Sequence, residues 1–123
     1  MKPTLTETFT AEAAVNPRRI VAYGTADNQV IQAASTTATM FGVADSLGAA
    51  LGGRIDVHTA GVVEVDFGGT ITRGGPITAD ANGKAVAAAP GAGVNARIIG
   101  FARVSGVSGD IGLVQLEAGQ IQG

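Results

Sequence analysis

The sequence predicts an all-β protein: a small single-domain β-barrel or β-sandwich of short strands, preceded by an extended N-terminal arm. Turn-forming residues recur about every 8 to 12 residues, and several segments alternate polar and apolar residues with the period of two that is typical of a strand. Glycine supplies 19 of the 123 residues, about twice its usual share of roughly 7%, without a Gly-X-Y period, which indicates many turns.

The first 14 residues are expected to form the arm, and residues 15–123 the domain. The arm is rich in Thr, Glu and Ala, and its large apolar anchors are Leu5 and Phe9. These two positions share one face of an extended strand, so we predict that they dock on an exposed sheet edge of a neighbour. In the free protein the arm is expected to be mobile.

The first part of the domain predicts a hairpin, a strand and a loop. Residues 20–23 and 30–31 read as paired strands around the polar turn 25–28. Residues 38–45 are β-prone. The glycines within 46–53 disfavour a helix longer than one turn, so this segment is interpreted as a loop.

Residues 54–58 and 63–67 alternate polar and apolar residues strictly, and Thr59-Ala60-Gly61 lies between them. This pattern predicts a second hairpin.

The last part of the domain predicts three further strands. Asn82-Gly83 is a favoured pair for a tight hairpin turn, with 84–88 as the return strand. Residues 97–104 and 111–116 read as strands.

Residues 41–44 (FGVA) and 99–102 (IGFA) form a weak internal sequence repeat. Glycine inside a strand often marks a bulge or a close approach of two backbones, so Gly42 and Gly100 are predicted at two equivalent corners. Chance similarity is the alternative.

Composition and charge limit the partners. Only 15% of residues are charged and the net charge is −2, so neither nucleic acid nor an anionic membrane is an expected partner. The 46% hydrophobic content includes only 4% aromatic residues, which predicts one thin core of small side chains and some apolar surface for self-association. The N-terminal residues lack the apolar stretch of a secretion signal, so synthesis and retention in the cytoplasm are expected.

Candidates for chemistry are few. The chain has no Cys, and His58 is its only imidazole, so a catalytic triad or a His-based metal site would depend on it. His58 shares a strand face with Arg54 and Asp56, which indicates a solvated face. We therefore predict no enzyme, no catalytic residue, no cofactor and no metal. A hydrolase or enzyme accessory subunit that uses His58 is the alternative.

Other charged or glycine-rich motifs have structural interpretations. Glu64 and Asp66 share a face and form a carboxylate pair, but their spacing alone predicts no site. The segment 91–96 matches G-x-G-x-x-[GA] without the strand and helix that a dinucleotide site needs. The adjacent Arg18 and Arg19 are predicted to form salt bridges with a neighbouring subunit or partner. The candidate partner-binding residues are thus Leu5, Phe9, Arg18 and Arg19.

The order of short motifs between residues 38 and 117 resembles that of the phage capsid cement, or head decoration, proteins. The departure is Gly75-Pro76, where Asp is common in the family, and it affects only a turn. The matching segments are 41–44 (FGVA), 53–57 (GRIDV), 61–65 (GVVEV), 71–77 (ITRGGPI), 79–86 (ADANGKAV), 99–102 (IGFA) and 109–114 (GDIGLV).

The resemblance implies a β-rich virion protein, made in the host bacterial cytoplasm, that binds the outer capsid surface of a tailed phage. It implies the major capsid protein as partner, a homotrimer at local three-fold positions, and stabilisation of the shell. No catalytic residue is carried over. A β-rich module of a phage fibre, tail or baseplate is the alternative.

Overall fold

A computed structural model describes residues 2–123, and these form nine β-strands without a helix. The prediction of an all-β fold is confirmed. Within the described range, no helix has the length and hydropathy needed to cross a membrane. The strands are β1 Lys2–Ala11, β2 Ile20–Tyr23, β3 Gln29–Gln32, β4 Met40–Ala44, β5 Arg54–Asp66, β6 Pro76–Ala79, β7 Ala85–Ala87, β8 Asn95–Ala102 and β9 Ile111–Gln122.

Strand pairing closes the first five strands into a ring. The order β1-β3-β2-β4-β5 returns to its start because β1 also pairs with β5. All of these pairings are antiparallel except that of β1 with β3. Closure of this kind removes most of the free sheet edges in this half of the molecule.

The remaining strands extend the sheet from β5 in the order β9-β8-β6-β7. This half also returns to β5, because Phe67, directly after that strand, forms a parallel bridge with Ala85 of β7. The Gly68 amide then donates to the Ala85 carbonyl at 2.8 Å. The molecule therefore consists of two small barrel-like rings that share β5.

Each ring has its own apolar cluster, and β2 and β4 form the wall between them. Ile20 and Ala22 of β2 point into the larger cluster, whereas Val21 points into the smaller one. Val43 and Ala44 of β4 divide in the same way. Because both faces of these strands are buried, their sequences are continuous apolar runs. The sequence therefore predicted one core, whereas the structure has two apolar clusters.

The side chains of both clusters are small, as the composition predicted. Phe67 is the largest fully buried side chain, and the others are Ile and Val. The smaller cluster contains Ala11, Val15, Val21, Val30, Ala44, Ile55 and Val57.

The predicted hairpin across residues 54–67 is wrong, because Arg54–Asp66 is one continuous strand. Gly61, which suggested a turn, has a φ of 93° and lies so close to β1 that an added Cβ would stand 2.3 Å from the Lys2 carbonyl oxygen. The glycine thus bends β5 within the sheet. On one edge of β5 the antiparallel partner changes near this glycine. The partner is β4 as far as His58 and β9 from Val62 onward.

Most other predicted elements are present. β2 and β3 form the first hairpin, and residues 46–53 contain no helix. The Asn82-Gly83 turn lies in a five-residue connection between Ala79 and Ala85, where the Asp80 Oδ1 accepts hydrogen bonds from the amides of Asn82 and Lys84 at 2.8 and 2.9 Å. β9 runs on to Gln122, six residues past its predicted end at 116.

The N-terminal segment is extended, as predicted, but it is paired within its own chain. β1 lies antiparallel to β5 from Lys2 to Thr10. Pairing with β5 occupies only one edge of this segment, so its docking on a neighbour stays a prediction. Side chains explain the internal pairing: Thr8 donates to the Asp56 carboxylate at 2.8 Å, and the Thr6 hydroxyl lies 2.9 Å from His58 Nδ1. Mobility of this segment in solution stays a prediction.

Candidate interaction surfaces

An aromatic cluster lies at one end of the smaller ring. The ring of Tyr23 stacks on that of Phe41 with centroids 4.1 Å apart, and Phe9 meets Phe41 edge-on at 5.3 Å. Phe9 and Phe41 also pack on the smaller apolar cluster. Tyr23 keeps 58% of its surface exposed, so it presents a rigid amphipathic face to solvent.

The two predicted anchors of the N-terminal segment have different surroundings. Phe9 packs inside its own chain, whereas Leu5 is 50% exposed. Tyr23 was not predicted as a surface residue, although it is the only tyrosine and carries a polar group that tolerates exposure. Other large apolar side chains exposed to solvent are Leu47, Leu51, Val94, Val107 and Ile111.

Arg18 and Arg19 form their salt bridges within the chain. Their Nε atoms lie 3.1 and 3.2 Å from the two carboxylate oxygens of Asp66. Arg19 also donates from Nη1 to the Asn82 carbonyl at 2.8 Å. The salt bridge expected with a partner is therefore made internally, and Asp66 is engaged by two cations instead of pairing with Glu64. A role of these arginines in partner binding stays a prediction.

His58 is half-buried on the face of β5 that carries Asp56, as the alternation predicted. It borders a small surface pocket of about 230 Å³. Within residues 2–123, no group of three or more His, Cys, Asp or Glu side chains is arranged to hold a metal ion. The other residues that line this pocket are Arg18, Ala44, Asp45, Ser46 and Glu64.

A wider groove of about 500 Å³ lies on the outer face of the sheet where β5 and β9 meet. Val62, Val104 and Leu113 provide its apolar lining, and Lys2 and Arg103 provide two cations. The register explains the grouping, because Lys2 lies opposite Val62 on β5. This groove offers apolar contact with basic groups close by.

Glu12, which directly follows β1, accepts hydrogen bonds from Thr25 in the β2–β3 turn. Its Oε1 accepts hydrogen bonds from the Thr25 hydroxyl and, at 2.8 Å, from the Thr25 amide. The hydroxyl bond, and then the amide bond, lower the pKa of the Glu12 carboxyl below its ordinary value of 4.5, because both bonds stabilise the ionised form.

Comparison with known proteins gives the family. A family model described as phage cement protein matches residues 1–116. The fold and this match together define the class of the molecule as a structural protein of a phage head. The chain belongs to the phage cement protein family, so the predicted resemblance is confirmed. Proteins of this family are virion components that bind the capsid.

A solved structure shares the fold. The N base of head fibre gp8.5 in bacteriophage phi29 superposes with a TM-score of 0.70 and 18% sequence identity, and the match covers 97% of this chain and 98% of that chain. No curated protein matches.

Proposed function

We propose that this protein binds the outer surface of a tailed-phage head as a homotrimer at local three-fold positions and stabilises the shell. Its partner there is the major capsid protein. The family match over residues 1–116 carries this proposal, because it covers nearly the whole chain. The proposed site of synthesis is the host bacterial cytoplasm.

The surfaces described above support attachment by many weak contacts. Leu5 and Tyr23 each expose about half or more of their side-chain area, and the groove beside Lys2 and Arg103 combines apolar and basic groups. Contacts of this size are weak one at a time. Repetition over a symmetric shell converts them into high avidity without a tight single site.

We also propose that the protein acts without catalysis, cofactor or metal, and without nucleic acid or membrane as a partner. His58 has Thr6 as its hydrogen-bond partner on the face of a strand. Only 15% of the residues are charged and the net charge is −2, so the protein has little attraction to phosphate groups.

A second candidate is a module at the base of a phage fibre, or in a tail or baseplate. The fold shared with the phi29 head fibre base favours it. The two candidates differ in where the protein lies and in how many copies a particle carries. A decoration protein is expected in hundreds of copies on the head, and a tail or baseplate module in a few.

Electron microscopy of particles with and without this protein tests the proposal. We expect difference density outside the head at local three-fold positions, and heads that rupture at lower temperature without the protein. Adding purified protein back to bare heads should restore both. Density confined to the tail or baseplate, or to a few fibre bases on each particle, would overturn the proposal and support the second candidate.

A further inference from the structure

A pocket of about 300 Å³ lies beside β6, β7 and the start of β8, on the face of the sheet away from the larger apolar cluster. Ile77 and Ala79 of β6 belong to that cluster, so Thr78, which stands between them, points to the opposite face. Thr78 and its register partner Val86 of β7 both line the pocket. The pocket is therefore separate from both apolar clusters and from the two cavities described above.

Backbone hydrogen bonds hold the walls of this pocket in place. The loop of residues 88–94 forms one wall, and the Gly93 amide donates to the Gly123 carbonyl at 2.8 Å. Thr36 forms part of another wall, and its carbonyl accepts a hydrogen bond from the Arg97 amide at 2.8 Å. The cavity is thus preformed, as binding sites for small groups usually are.

Thr78 carries a hydroxyl that the fold leaves unpaired. Among residues 2–123, Thr78 is the one polar residue that is buried, with 1% of its surface exposed. Its Oγ1 has no hydrogen-bond partner in this part of the chain. Burial of an unpaired hydroxyl destabilises a protein, and Val has nearly the same shape and suits a strand without that cost. Because Thr78 lines the pocket, rotation about its Cα–Cβ bond turns the hydroxyl toward a bound group.

The lining of the pocket selects a neutral ligand. Among the described residues that form it, none is charged, so an ionised group would lose its water without gaining a counter-charge. Apolar side chains such as Val86 and Pro90 dominate the lining. The polar residues there are Thr36, Thr78 and Asn95. A group with an apolar body and one polar tip matches this lining, and phenol is the simplest example.

We propose that this pocket binds a neutral, mainly apolar group that carries one hydroxyl, and that Thr78 forms a hydrogen bond with that hydroxyl. The volume of about 300 Å³ lies at the lower end of the range for small-molecule sites. A tyrosine side chain of a partner protein and a free phenolic molecule share this chemistry. The site does not depend on the proposed function.

NMR titration of the full chain with phenol and with toluene tests the site. The two probes differ by a hydroxyl in place of a methyl group, so toluene measures contact with the apolar lining alone. We expect phenol to shift the amide signals of Thr78, Val86 and Ala96 in a saturable manner. Signals that move only elsewhere in the chain, or shifts that do not saturate, would overturn the site.

Substitution of Thr78 tests the role of its hydroxyl. In Thr78→Val, phenol binding should weaken relative to toluene binding by about five-fold, because one hydrogen bond contributes about that factor. Thr78→Ser keeps a hydroxyl and is the matched control, with the wild-type ratio of the two dissociation constants. An unchanged ratio in the Val variant would show that Thr78 makes no hydrogen bond to the ligand and would overturn the proposal.

Thermal melting separates a loss of binding from a loss of folding. Thr78→Val should melt at or above the wild-type temperature, because it removes an unpaired buried hydroxyl. Weaker phenol binding by such a variant cannot result from unfolding. If the Val variant melts lower, the wild-type titration still decides, because it needs no substitution.

Head binding distinguishes the two sources of the ligand. If a tyrosine of a partner protein occupies the pocket, excess phenol and Thr78→Val should each lower the occupancy of heads. If the ligand is a free molecule, occupancy should stay unchanged while phenol still binds. Either result, together with saturable phenol binding, supports the site. Wild-type protein that binds phenol but no heads supports the site and contradicts the proposed function.

Discussion

Gly100 and Gly42 lie where two backbones come too close for any side chain. A Cβ on Gly100 would stand 1.9 Å from the Gln115 carbonyl oxygen, and one on Gly42 would stand 2.6 Å from the His58 carbonyl oxygen. The strand register shifts beside both glycines. The prediction of two corner glycines from the repeated F-G-V-A and I-G-F-A motifs agrees with this geometry.

Gly100→Val and Gly42→Val are expected to destabilise the fold by more than about 2 kcal/mol each, because overpacking forces the backbone to move. Urea unfolding measures the change. Gly69→Ala is the matched control, because its nearest non-neighbouring atom would lie at 3.5 Å, an ordinary contact distance. Wild-type stability of the Gly100 variant would contradict the close approach.

His58→Ala is expected to change the free energy of unfolding by less than about 0.5 kcal/mol and to leave head binding intact. The side chain is only half-buried, and its hydrogen-bond partner Thr6 is exposed and can bind water instead. Thermal melting and a head-binding assay measure the two effects. A large functional loss with normal folding would indicate a role for the imidazole that the proposed function does not include.

Glu12 gives the fold a small dependence on acid pH. Its pKa is lower in the folded state than the ordinary 4.5, so its contribution to stability is present above that value. The contribution is lost as the pH falls through the lower folded value. In an NMR titration, Thr25→Val should raise the pKa of Glu12, and Thr25→Ser should preserve it. An equal midpoint in the Val variant would refute the hydroxyl bond as the main cause.

At the scale of the element, β1 has two parts with different roles. Residues 2–7 contribute no buried side chain, whereas Phe9 packs on the smaller cluster and Ala11 belongs to it. Loss of the second part would expose Ile55 and Val57 of β5. Removal of residues 2–7 should therefore spare the core, whereas removal of the chain as far as Ala11 should not.

Deletion of residues 2–7 should leave a cooperatively folded protein that binds heads poorly, because Leu5, the exposed apolar anchor of β1, is lost. Deletion of residues 2–11 should lower the melting temperature strongly or prevent folding. Circular dichroism melting and head occupancy measure both variants. Unchanged occupancy after the shorter deletion would show that attachment depends on other surfaces.

The sequence predicted the elements better than their connections. Period-two alternation located both halves of β5 correctly, since Ile55, Val57, Val63 and Val65 are all buried. The connection was predicted wrongly because Gly61 has the same local signature in a tight turn as in a bent strand. Only the partner, β1 at a separation of about 58 residues along the chain, distinguishes the two. Non-local pairing leaves no mark in a local pattern.

The interaction surfaces were less predictable for the same reason. Leu5 is exposed as an anchor should be, but Phe9 is covered by Phe41, which lies 32 residues later in the chain. The Arg18 and Arg19 side chains indicated a salt bridge correctly. Their partner, Asp66, lies on a distant strand, so the residues alone could not show that the bridge is internal.

At the scale of the whole molecule, the shared strand and wall should make unfolding a single transition. β5 belongs to both rings, and β2 and β4 contribute side chains to both clusters. Val57→Ala in the smaller cluster and Val65→Ala in the larger one should each lower the same cooperative transition, without a separate step. Calorimetry measures this, and two resolved transitions would show that the rings unfold independently.

Far-UV circular dichroism of the same samples should show a β-type spectrum. A helix content above about one-third, the average of ordinary domains, would contradict the fold.

The shared strand also determines how the molecule carries a mechanical load. β1 and β9 lie on opposite sides of β5 and overlap at Val62, through eight register pairs with β1 and five with β9. Hydrogen bonds between antiparallel strands run perpendicular to the strands. A pull along β1 that is resisted along β9 therefore shears these bonds together, where a peeling force would open them one by one. Under tension the two sets of hydrogen bonds therefore break together, and the force that the chain withstands grows with the number of paired residues.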